Sequence, residues 1–142
     1  MLAGYDLDYG NVPRGTMQSV IAKVHGIPVA IGGSDATIKG GTSYPITVHK
    51  SLRLNDIAAQ NWLPSLSLID SGGAFLPLQS EIFPDRHHGG RNFFNIADTT
   101  SQGMPAVSVV CGSCTAGGAY TPSMCDESMY KILMLTLSKN HF

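Results

Sequence analysis

Charge is scarce in this 142-residue chain. Nine Lys and Arg oppose ten Asp and Glu, 13% of residues, for a formal net charge of −1. That balance offers no basic surface to nucleic acid and nothing to draw the chain to an acidic membrane surface. Cysteine is scarce too. Cys111, Cys114 and Cys125 make an odd set, which argues against a disulfide-stapled secreted domain. No run reaches the roughly 18 apolar residues that span a bilayer. The opening MLAGYDLDYG has neither the basic, apolar plan of a signal peptide nor the Arg-rich plan of a transit peptide.

What is present is a core and glycine. A 43% hydrophobic content marks a globular chain of one domain. Sixteen glycines with so little charge suit a chain buried against other subunits, or one piece of a larger protein. QSVIAKVHGIPVAIGG predicts a hairpin, Val20–Val24 and Ile27–Ile31, turning at His25-Gly26. Residues 47–62 read as a helix with Val48, Leu52, Ala59 and Trp62 on one stripe and Leu54 and Ile57 opposite. A short strand at Leu66–Ile69 then runs into Ser-Gly-Gly-Ala. PAVSVVCGSCTAGGA repeats that plan at 105–119. Between them lie a polar loop at 77–90 and a helix from Arg91 to about Ser101. Helices alternating with buried strands predict a parallel α/β arrangement, with both Gly-Gly-Ala turns at carboxyl ends of strands, where such proteins bind ligands.

The Asp-Ser-Gly-Gly at 70–73 raises the question of a serine nucleophile at Ser71. Neither a G-x-S-x-G elbow nor a base at fixed spacing accompanies it, and His25 and His49 are not aimed at it by the sequence. The glycines carry more. Gly117-Gly118 precede a helix start that has Pro122 in its first turn. Amides at such a turn can stabilise a developing oxyanion, and the same glycines could equally permit close helix–strand packing. The Cys111/Cys114 pair lacks a second pair at zinc spacing, and adjacent His87-His88 do not readily chelate one ion, so no metal is expected. Lys39, in IKGG, reads as an exposed lysine that could meet a phosphate.

Three segments together resemble a known family: SDATIKGGTSYPITVHKSLR, DSGGAFLPLQSEIFPDRHHGGRNFFN and VVCGSCTAGGAYTPSMCDES. Over about Leu2 to Ser128 the chain is similar to the carboxyltransferase (β) subunits of acyl-CoA carboxylases, of the methylcrotonoyl-CoA type. The FLPLQSEIFPDR loop separates it from propionyl-CoA carboxylases; geranyl-CoA carboxylase is the nearest alternative. The resemblance implies a crotonase-like α/β fold of stacked ββα units, here an incomplete amino-terminal domain (1–128) with a divergent tail (129–142). It implies biotin-dependent carboxyl transfer to 3-methylcrotonoyl-CoA in leucine degradation, with biotin carried by a partner α subunit and the β subunits forming a homo-oligomer. The proton released would pass to biotin, so no acid–base side chain is required. Gly117, Gly118 and Ala119 match the family's oxyanion turn, facing either the thioester or the biotin ureido oxygen. Ser71, Gly72, Gly73 and Ala74 match its acyl-CoA-facing loop. The implied location is the mitochondrial matrix in a eukaryote and the cytoplasm in a bacterium.

The chain departs from the family at Ser34, His87 and Gly89, where Asn, Asp and Phe are usual. After Ser128, MYKILMLTLSKNHF replaces a Gly- and Pro-rich segment, and its apolar run from Ile132 to Leu137 is an aggregation hazard. A non-catalytic truncated form, or an interaction fragment, is therefore the alternative to an enzyme component.

Overall fold

The structure, a computed structural model, describes residues 4–131. The expected aggregation segment, 132–137, lies outside them.

Five strands form one mixed sheet in sequence order. Strands β1 (Met17–Val24) and β2 (Ile27–Ser34) make the expected hairpin, longer at its open end than the β-branched run suggests. From β2 onward the sheet is parallel through β3 (Ser65–Ser71), β4 (Ala106–Cys114) and β5 (Glu127–Tyr130). The fifth strand was not read from the sequence, and it crosses the 128/129 boundary. Helix α1 (Pro45–Gln60) links β2 to β3. The one-turn helix α2 (Gln79–Ile82) and α3 (Gly89–Ser101) link β3 to β4, and short α4 (Tyr120–Met124) precedes β5.

The helices cover one face of the sheet, where Ala30, Ile69, Ala106, Ser108 and Val110 are buried. The opposite face carries Val20, Leu68 and Met129, aligned through Val20↔Ile31↔Leu66 and Leu68↔Val109↔Met129. They are 51%, 37% and 56% exposed, an apolar sheet surface without a cover among the described residues.

The buried stripe of α1 differs from the expected one. Val48 is buried, but Ala59 is exposed, and Trp62 lies beyond the helix end, 65% exposed and at φ +52°. Ala58 is buried instead, and Leu54 meets Gly32 on the sheet. Polar residues share this inward face because α3 supplies their partner. Asn92 Oδ1 accepts from Ser51 Oγ (2.8 Å) and Asn55 Nδ2 (3.0 Å). Hydrophobicity alone could not locate a face held by amide hydrogen bonds. The loop expected at 77–90 contains α2, anchored by Ile82 at 1% exposure. At position 89, where the resemblance expects Phe, a Cβ would lie 2.6–2.9 Å from the Phe83 ring and the Ile82 carbonyl, so glycine is what lets Phe83 lie there.

Candidate functional site

The carboxyl ends of β3 and β4 bring the two Gly-Gly-Ala turns together. Thr115 N–H donates to the Ser71 carbonyl at 3.3 Å, and a Cβ on Gly118 would lie 3.6 Å from Ser71 Cβ. Gly73, at φ +89°, packs so close to Thr115 and Ala116 that a Cβ there would be 3.2–3.3 Å from them. The 40–43 loop clasps the first turn from its other side. Gly72 N–H donates to the Gly40 carbonyl (3.1 Å), Ser43 N–H to the Gly73 carbonyl (2.8 Å), and Phe75 N–H to the Ser43 carbonyl (2.9 Å). Below Phe75, the Tyr44 and Tyr9 rings continue a stack at centroid spacings of 4.6 and 5.7 Å.

Ser71 is 6% exposed, and its hydroxyl is committed to backbone. It donates to the Gly41 carbonyl at 2.9 Å and accepts Gly73 N–H at 3.1 Å. Neither candidate base reaches it. His25 turns the hairpin at φ +49°, and His49 lies edge-on to His88 with ring centroids 5.9 Å apart. Ser71 thus builds the turn, as the flanking residues indicate.

The second turn is a 3-10 turn, Ala116–Ala119, leading into α4. Its amides are not equivalent. Gly118 N–H is held internally by the Thr115 carbonyl at 3.0 Å, and the Gly118 carbonyl accepts the Cys114 thiol at 3.2 Å. Burial raises the Cys114 pKa, which keeps that thiol a donor. Gly117 N–H has no protein acceptor among the described residues, nor does Ala74 N–H in the first turn. A Cβ at Gly117 would meet nothing within 4 Å. Ala74 and Gly117 both line one cavity of about 210 Å³ that runs between α1, α3 and the sheet, past Ser51, Asn92 and Phe93. The geometry therefore offers one free amide from each turn, where the sequence pointed to two adjacent ones at 117 and 118. A Cβ at Gly118 would make ordinary van der Waals contact with Ser71, at 3.6–3.8 Å, so that position packs the two turns together without requiring glycine for space.

The remaining candidates stand apart. Asp85, Arg86, His87 and His88 form an exposed hydrogen-bonded cluster; His88, ahead of the His87 amide, lowers the Asp85 pKa. Cys111 is exposed, separated from Cys114 by an irregular stretch of β4. Among the described residues no three His, Cys, Asp or Glu side chains are grouped to hold a metal. Lys39 is exposed at φ +52°, on the loop that clasps Gly72. Sequence reading missed that clasp, and missed that the Asp70 carboxyl occupies the space a Gly112 side chain would take. Gly112 inside a strand was the available signal, since such a glycine marks a bulge or a close approach.

The Carboxyl transferase domain family matches residues 3–132. The methylcrotonoyl-CoA carboxylase beta chain of Dictyostelium discoideum, a mitochondrial protein by name, is 52% identical over 130 residues, 90% of this chain and 22% of that one. The biotin-dependent 3-methylcrotonyl-coenzyme A carboxylase beta1 subunit of Mycobacterium tuberculosis is 56% identical over 109 residues, 77% of this chain and 21% of that one. Among solved structures, the β subunit of Pseudomonas aeruginosa (P. aeruginosa) geranyl-CoA carboxylase superposes with a TM-score of 0.80 at 39% identity, covering 91% of this chain and 25% of that one. The chain thus spans about a fifth of the length of the curated relatives it matches. The fold is the crotonase-like α/β fold of these β subunits.

Proposed function

This chain belongs to the Carboxyl transferase domain family, and from that premise we propose that it forms part of the amino-terminal domain of a methylcrotonoyl-CoA carboxylase β subunit. In that role it contributes one wall of the site where carboxyl passes from biotin to 3-methylcrotonoyl-CoA. The observation that carries this reading is the pair of unpartnered amides, Ala74 and Gly117, on adjoining turns beside one cavity. Taking a proton from a carbon conjugated to a thioester places charge on oxygen, and fixed N–H donors stabilise that charge more than the ground state. An acyl group entering the cavity would pass Phe93, Ser51 and Asn92. Carboxylated biotin, when bound, supplies the carboxyl group and the proton acceptor. This chain's part is to orient oxygen at Gly117 and Ala74, beside Ser71, whose hydroxyl has no hydrogen left to donate.

The rest of the assembly follows by the same proposal: a biotin-carrying α subunit, a homo-oligomer of β subunits, and the mitochondrial matrix in a eukaryote. The sheet face left uncovered among the described residues supports a domain completed by further chain; the proposed partial amino-terminal domain, 1–128, runs on through β5, so the divergent tail proposed for 129–142 begins inside that strand. Gly118 and Ala119 shape the second turn, and Ser71, Gly72 and Gly73 the first.

The test is a chimera in which this chain replaces the matching segment of the Dictyostelium β chain, assembled with its biotin-carrying partner. Loss of carboxyl label from carboxybiotin should depend on 3-methylcrotonoyl-CoA in preference to geranyl-CoA or propionyl-CoA. The 142-residue chain alone should give none. A preference for geranyl-CoA, or turnover by the chain alone, would contradict the assignment.

A further inference from the structure

We propose that Asp70 is a positioning residue whose carboxylate plugs a bulge in β4 and so sets where the Ala116–Ala119 turn stands relative to Ala74. What it positions is taken from the oxyanion reading above; the plug itself is argued from contacts alone. Between the pairs Ile69↔Val110 and Ser71↔Cys114, β3 contributes one residue, Asp70, while β4 contributes Cys111, Gly112 and Ser113. Extra residues on one strand leave backbone groups without ladder partners and bend that strand. Asp70 meets both consequences. Its Oδ1 accepts Ser113 N–H at 2.9 Å, replacing the ladder bond. Its carboxyl also fills the side-chain space of residue 112, where a Cβ would lie 2.2–2.4 Å from the carboxyl atoms.

The plug is held from behind as well. A Cβ on Gly41 would lie 2.1 Å from the Asp70 carbonyl oxygen, so the 40–43 loop bears directly on the Asp70 backbone. Downstream of Ser113 the chain is pinned next at Thr115, whose N–H donates to the Ser71 carbonyl, and Ala116 then takes φ +48° to deliver Gly117. Asp70 and Ser71, consecutive in β3, thus fix β4 at two points just before the turn. Without the carboxylate the bulge has an unpaired N–H and an empty slot, and the approach to Gly117 loses its first anchor.

Hydrogen–deuterium exchange on the dilute 142-residue chain tests this with three variants. Asp70→Ala should raise exchange in peptides covering 113–117 about tenfold or more, the scale of losing a hydrogen bond to a charged group, and leave the β1–β2 hairpin unchanged. Asp70→Asn keeps an acceptor oxygen and should restore most of the protection. Gly112→Ala evicts the carboxyl with Asp70 still present, and should reproduce the Asp70→Ala pattern. Unchanged exchange at 113–117 in Asp70→Ala would overturn the proposal. So would an equal rise in the hairpin, failure of Asn to rescue, or a silent Gly112→Ala. Turnover of the same variants in the chimera is the separate readout for the oxyanion reading. A local exchange change with unaltered carboxyl transfer would sink that reading and leave the plug standing.

Discussion

Gly40 and Gly41 offer an internally controlled perturbation of the first turn. Both have left-handed backbone, at φ +63° and +65°, so an alanine at either costs about 1–2 kcal/mol in conformation alone. Their surroundings differ. A Cβ at 40 meets nothing within 4 Å, while one at 41 would lie 2.1 Å from the Asp70 carbonyl oxygen and 3.3 Å from Ser71 Cα. Relief requires the loop to back away, which breaks the bond from Ser71 Oγ to the Gly41 carbonyl and the bond from Gly72 N–H to the Gly40 carbonyl. Each is worth about 0.5–1.5 kcal/mol, and the buried Ser71 hydroxyl, still accepting Gly73 N–H but with its own hydrogen left without an acceptor, adds about 1–3 kcal/mol. Gly41→Ala should therefore be less stable than Gly40→Ala by about 2–6 kcal/mol, a large share of the roughly 5–15 kcal/mol of a whole domain. Urea unfolding followed by far-UV circular dichroism reads this directly, as the difference in midpoint at a common slope. Equal losses in the two variants would show that the loop does not bear on Asp70 and Ser71 as described.

Other outcomes follow from the same contacts. Ser71 should stay unlabelled by a fluorophosphonate probe, since its hydroxyl is bound to backbone and no histidine reaches it; stoichiometric labelling would restore a hydrolase reading. Thr37, assisted by Arg14, lowers the Asp35 carboxyl pKa, so its contribution to stability is present above the ordinary carboxylate pKa of about 3.9 and fades as pH falls below it. Asp35→Asn should flatten acid unfolding in that window, measured by urea midpoints from pH 5 downward. Iodoacetamide should modify exposed Cys111 well before Cys114 and Cys125, whose thiol pKa values burial raises; peptide mass spectrometry after timed quenching reads the order.

The hairpin, the parallel strands and the meeting of the two Gly-Gly-Ala turns were legible because β-branched runs and glycine pairs act locally. The inward face of α1 was not, because Ser51 and Asn55 are turned inward by Asn92, 41 and 37 residues away in sequence, and apolar spacing does not record such a partner. The fifth strand was too short and too polar at Glu127-Ser128 to stand out; its pairing with β4 makes it a strand. At the site, the glycines named the place but not the donors. Which amide is free depends on the 3-10 turn holding Gly118 N–H to Thr115, a choice made by the fold of the turn. Asp70 stands inside the Asp-Ser-Gly-Gly motif with nothing in its neighbours to mark it, because its use depends on the bulge of β4 against it.

Gly117→Val in the full-length chimera tests the central claim most directly. Among the described residues, and apart from its own turn, nothing lies within 4 Å of where the new side chain begins, so packing there supplies little reason for a loss of stability. The same side chain would stand over the free amide and exclude a ligand oxygen. Carboxyl transfer to 3-methylcrotonoyl-CoA should fall on the order of 10²–10³-fold, with the melting temperature and the KM for the CoA ester close to those of the parent. Parent-level turnover in a correctly assembled Gly117→Val enzyme would contradict the account.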